Sequence, residues 1–172
     1  MRKAVWALLL GSLLPSVSSG QEKQKKLDPC TLLTATDAAS IVGAPMKIVN
    51  VSKNNCMYGE YQGRGSLIVG GVLDRALFFY VKRYKDSQAQ DKDWTKDEPA
   101  DKNQTKALSG IGDQAYLVGS IEEAKTMDNA GIRVRKRAVY FSIQIMLVPG
   151  HQPTTPSADA LIAVAKKIAD QL

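Results

Sequence analysis

The chain has 172 residues, 44% of them hydrophobic and 23% charged, and a formal charge of +6. That length supports one domain with a real core and not two, and so mild a basic excess without a recognisable module excludes a dedicated nucleic-acid binder. Two cysteines and a single histidine fall short of the roughly four ligands zinc takes, so no metal or other cofactor is expected.

Residues 1–20 read as a cleavable export signal. Arg2 and Lys3 supply the positive region, Ala4 to Leu14 the apolar stretch, and Ser18-Ser19-Gly20 the small residues at the cleavage site. Removing Arg2 and Lys3 with the leader lowers the charge from +6 to +4. The apolar run is shorter than the ~20 residues of a permanent span and ends at Pro15. A buried N-terminal helix is the competing reading. No cysteine follows the run closely enough to take a lipid, so the expectation is a released protein, periplasmic or extracellular, with no stable membrane anchor.

The stretch 21–26 is charged and lacks periodicity, which predicts a disordered lead-in to a single exported domain over 27–172. Cys30 and Cys56 are an even pair in an exported chain, spaced too widely for a C-x-x-C redox motif; this predicts a structural disulfide, with free or metal-bound thiols as the alternative. Closing a loop of that size removes unfolded-chain entropy worth roughly 3.5 kcal/mol.

Thr34 predicts a helix N-cap, with Asp37 completing a capping box and Gly43 closing a helix from Ala35 to Val42. Met46 to Val51, Cys56 to Gln62 and Gly65 to Leu73 predict antiparallel strands separated by Asn, Lys and Gly turns. Asp74 predicts the cap of a second helix reaching about Gln90, with Leu77, Tyr80, Val81 and Tyr84 at helical spacing. The β-prone run Phe78-Phe79-Tyr80-Val81 makes a strand the competing reading.

Lys85 to Lys106 is the most charged segment and predicts a solvated loop. Its one aromatic, Trp94, is either an exposed anchor for a partner or folded back onto the domain. A glycine turn over 108–113 leads into a strand at Gln114 to Val118, and Ile132 to Arg135 with Val139 to Leu147 form a hairpin. After the loop Pro149 to Pro153, Thr155 or Ser157 caps a last amphipathic helix lined by Leu161, Val164, Ile168 and Leu172. The fold class is therefore α+β: an antiparallel sheet packed by N-terminal, middle and C-terminal helices.

The segment Asp28-Pro29-Cys30-Thr31-Leu32-Leu33-Thr34, the Cys56 and Tyr58 pair and the turn Gly110-Ile111-Gly112-Asp113-Gln114-Ala115-Tyr116 resemble a family of small bacterial exported domains and lipoproteins of unknown function. The resemblance implies a PsbP-like α/β/α sandwich, a structural cysteine pair and no established activity or catalytic residues. The chain departs from many members in lacking the lipid-attachment cysteine.

Chemistry is sparse in this sequence. A hydrolase would have to use His151 as general base, but no nucleophile elbow accompanies it. Glu122 and Glu123 are adjacent, so on a strand they face opposite ways and cannot share a substrate. The basic run Arg133, Arg135, Lys136 and Arg137 is the candidate interaction surface, suited to an anionic polymer, a headgroup layer or an acidic protein patch; its alternative role is to protect a sheet edge. The expectation is a non-enzymatic binding or accessory module of the bacterial cell envelope, whose partner is a protein or an anionic envelope component. A hydrolase using His151 and a self-associating structural protein are the alternatives.

Overall fold

A computed structural model describes residues 26–60, 75–97, 105–119, 130–147 and 156–172. The expected export signal, the strand expected over Gly65 to Leu73, Glu122-Glu123 and His151 lie outside the described residues.

The chain enters through a short helix, α1 (Pro29–Leu32), whose N-cap Asp28 accepts from the Cys30 amide. It continues into α2 (Ala35–Val42), which has the expected ends. The Thr34 hydroxyl accepts from the Asp37 amide at 3.2 Å and the Asp37 carboxylate accepts from the Thr34 amide at 3.0 Å. Gly43, at φ 74°, closes the helix in the left-handed region that a residue without Cβ enters freely.

Strands β1 (Met46–Val51), β2 (Asn55–Glu60) and β3 (Arg75–Arg83) follow, then α3 (Ser87–Asp97), β4 (Thr105–Leu108), β5 (Gln114–Val118), β6 (Ala130–Lys136), β7 (Val139–Leu147) and α4 (Ala158–Asp170). The seven strands form one antiparallel sheet in the order β1-β2-β3-β7-β6-β5-β4. The α+β class expected from the sequence is the class observed.

Two expectations are corrected. The segment from Asp74 to Gln90 is not one helix: Arg75–Arg83 is β3, paired with β2 on one side and along its whole length with β7 on the other. A central strand paired on both edges, with the half-buried aromatics Phe78 and Tyr80 on its second face, carries apolar residues at consecutive positions, and such a run satisfies helical spacing by coincidence. Nor is Lys85 to Lys106 a loop throughout, because it contains α3 and the start of β4. Asp86 begins α3 by accepting from the Ala89 amide at 2.8 Å.

Strand parity assigns the two faces. Leu77, Phe79 and Val81 of β3, Phe141, Ile143 and Ile145 of β7 and Ile132 and Val134 of β6 are buried in one cluster with Ile41 of α2 and Leu161 and Ile168 of α4. Phe79 and Phe141 meet at 6.0 Å between ring centroids in that layer. Ser157 caps α4, and its own amide donates to the Ile41 carbonyl at 2.9 Å, joining the two helices of this face. The Lys167 ammonium completes the join by contacting both Asp37 oxygens at 2.9 and 3.0 Å.

The amino-terminal corner is stapled twice. Cys30 and Cys56 form a disulfide between α1 and β2, with Cα atoms 5.3 Å apart. Two residues along β2, the fully buried Tyr58 donates its hydroxyl to the Leu33 carbonyl at the end of α1. No helix among the described residues is long and apolar enough to cross a membrane.

Candidate functional site

The four basic residues read from the sequence do not share one surface. Arg133 and Arg135 lie on the sheet face opposite the main core, beneath α3, while parity sends Lys136 to the core-bearing face and Arg137 sits in the two-residue turn before β7. Arg135 is held there: its Nη1 forms an ion pair with Asp91 of α3 and a 3.5 Å contact with Gln114 Oε1. Arg137 adopts φ 52°, and its amide donates to the Asp113 carboxylate. The turn carrying Asp113 is itself fixed on the hairpin, since the Asp113 amide donates to the Arg135 carbonyl at 2.8 Å.

Trp94 is the residue that fastens α3. Its ring lies 5.7 Å from Tyr116 and 5.8 Å from Tyr140, and Tyr80 continues the row 5.9 Å beyond Tyr140. Each such aromatic pair is worth about 0.5–1.5 kcal/mol beyond its area. This row, with the Arg135–Asp91 ion pair, explains how a helix as polar as Ser87–Asp97 stays on the sheet. Gln90 is 1% exposed beneath it, and neither polar atom of its side chain has a hydrogen-bond partner.

The sequence did not reveal the concentration of charge at one end of the sheet. A cleft of about 310 Å³ opens where the chain preceding α1 passes the β1–β2 turn and the end of β3. Lys26, Lys53, Lys82 and Arg83 line it, with Leu27 and Val81 among its apolar lining. Lys26, Lys53 and Arg83 are exposed, and the Lys82 ammonium stands 4.3 Å above the Tyr84 ring. These cations come from three separate segments, so no local charge run announces them. Lys82 and Arg83 become assignable only when 75–83 is placed as a strand.

The register carries the charge onward from the cleft. Arg83 pairs with Val139, and Val139 pairs with Lys136, so the three share one face at the strand ends, with Arg137 next along the turn. The carboxylates in this region, Asp28, Asp86 and Asp113, each accept from a backbone amide. They shape the local chain through these bonds. Compact cations of this kind hold phosphate, sulfate or carboxylate oxygens by charge-assisted hydrogen bonds.

Among the described residues no group of three or more His, Cys, Asp or Glu is placed to hold a metal ion. Comparison with known proteins gave no match: no family model, no curated protein and no solved structure is similar to this chain at a significant level.

Proposed function

We propose that this protein is an exported, non-enzymatic binding module of the bacterial cell envelope that recognises an anionic component through the basic end of its sheet. The observation that carries the reading is the cleft in which Lys26, Lys53, Lys82 and Arg83 converge from three segments. Four like charges around one opening repel each other, and an anion relieves that repulsion as it binds.

Export is supported by the Cys30–Cys56 disulfide, since such bonds persist in oxidising compartments, and by the leader-like residues 1–20. The likeness of the Asp28 to Thr34 and Gly110 to Tyr116 segments to small exported domains of unknown function points the same way. In this reading the aromatic row beneath α3 is structural: it positions the hairpin that extends the basic end.

The test is co-sedimentation of the oxidised, processed protein with envelope fractions of the producing cell at low and high salt. Wild type should pellet with the envelope at low salt and be released as salt screens the contact. The Lys53→Glu/Arg83→Glu variant should stay in the supernatant while melting at the wild-type temperature. Equal pelleting of both proteins would remove the cleft from the account.

A further inference from the structure

We infer that the ligand of the basic end is a linear polyanion that runs from the cleft to the hairpin tip, and not a single small anion; the inference rests on the anion-binding reading above. Its foundation is the order of the strands. Lys53 precedes β2, Lys82 and Arg83 end β3, and Lys136 ends β6, with β7 lying between β3 and β6.

Neighbouring strands are about 4.8 Å apart, so Arg83 and Lys136, separated by Val139, stand roughly 10 Å apart at their Cα atoms. The full track across β2, β3, β7 and β6 is then about 15 Å. That is longer than the ~8 Å over which exposed charges sense each other at physiological salt. One compact anion bound in the cleft therefore leaves the tip cations unneutralised. A chain bearing several phosphate groups neutralises both.

The two ends are also rigidly joined, as a track requires. The Tyr84 amide donates to the Ala138 carbonyl at 2.7 Å, extending the β3–β7 pairing into the turn that carries Arg137. Arg137 is exposed, and its backbone is fixed by Asp113. The second contact of a bound polymer is then intramolecular, and pre-organisation of both clusters turns that proximity into affinity.

Inorganic phosphate chains of defined length, titrated calorimetrically into the oxidised processed protein, test the inference. Chains of about ten or more phosphates should bind at least about tenfold more tightly per chain end than pyrophosphate, with a steeper dependence on salt because more contacts are screened. Lys136→Ala/Arg137→Ala should abolish that length advantage while weakening pyrophosphate far less than it weakens the long chain. Lys53→Ala/Arg83→Ala should weaken both ligands. Thermal melts confirm that each variant is folded. Pyrophosphate binding as tight as the long chain, or a length advantage that survives loss of Lys136 and Arg137, overturns the polyanion track and leaves the anion cleft standing. No binding by either ligand overturns both.

Discussion

The backbone amide of Tyr84 donates to the carbonyl of Ala138 at 2.7 Å, one step beyond the last paired residues of β3 and β7. Arg83 and Arg137 therefore project from a single hydrogen-bonded sheet end and not from two independent loops. The stability of that end depends on a few contacts elsewhere in the fold, each of which is open to measurement.

The disulfide spans 26 residues, and reducing it should cost about 3–3.5 kcal/mol in the chain-entropy account. Urea unfolding of the oxidised protein against a Cys30→Ala/Cys56→Ala variant measures this directly. Because Lys26 and Leu27 lie just before Cys30, and Lys53 just before Cys56, the variant should also bind pyrophosphate more weakly. A loss of less than about 1 kcal/mol would mean that other contacts hold this corner.

Tyr58→Phe leaves the Leu33 carbonyl without its hydroxyl donor and should cost about 1–3 kcal/mol. Burial, with the charges of Asp37 and Asp28 adding to it, pushes the Tyr58 hydroxyl well above the usual tyrosine range. A raised value in the folded state gives a contribution that is complete below the unfolded value, near 10, and is lost as pH rises above it. The stability gap between wild type and variant should accordingly be flat from pH 7 to about 9 and shrink above about 10. A gap that stays constant to pH 11 would contradict the assignment.

Lys167→Met removes the cation that bridges α4 to Asp37. Burial alone raises the Asp37 carboxyl, but the hydrogen bonds from Lys167 and Thr34, together with the Lys167 charge, outweigh it and hold the group below its ordinary value. A depressed folded value confers stability that is full above the unfolded value, near 3.9, and lost as pH falls through the folded one. The variant should therefore be less stable than wild type at pH 6 and converge with it as pH falls through the carboxylate range. Denaturant midpoints across that range decide the matter, and a difference independent of pH would assign the effect to lost packing of the lysine stem.

Gly112 has φ 59°, and a Cβ placed there would stand 2.5 Å from the Arg135 carbonyl oxygen. Both the backbone region and the contact disfavour any side chain, so Gly112→Ala should cost about 1–3 kcal/mol. It should also raise hydrogen exchange at the Asp113 amide, which that turn presents to the hairpin. Unchanged exchange at Asp113 would show that the turn accommodates the methyl group by moving elsewhere.

Much of the fold was legible where local chemistry and tertiary packing agree. The Thr34, Asp37 and Gly43 signals specify α2 to the residue, and the alternation of Phe141, Ile143 and Ile145 with Ser142 and Gln144 identifies β7 because its second face carries polar side chains. Legibility failed at β3, whose second face carries the half-buried aromatics Phe78 and Tyr80 in place of polar residues, leaving a pattern that a helix also satisfies. It failed again at α3, whose polar sequence has little helical amphipathicity and whose place depends on Trp94 meeting tyrosines more than twenty residues away in sequence. The cleft failed for the same reason in stronger form: its cations are dispersed along the chain, and only the strand register brings them together. The basic run at 133–137 was visible as a run, but its alternation across a strand divides it between two faces.

The proposed function requires an anion to bind where Lys26, Lys53, Lys82 and Arg83 converge. Backbone amide shifts of the isotope-labelled, oxidised, processed protein during titration with pyrophosphate test it most directly. Saturable shifts are expected at residues 26–27, 53–54 and 81–84, weakened by added salt and lost in Lys53→Ala/Arg83→Ala. Absence of saturable shifts, or shifts centred on the aromatic row beneath α3, would contradict it.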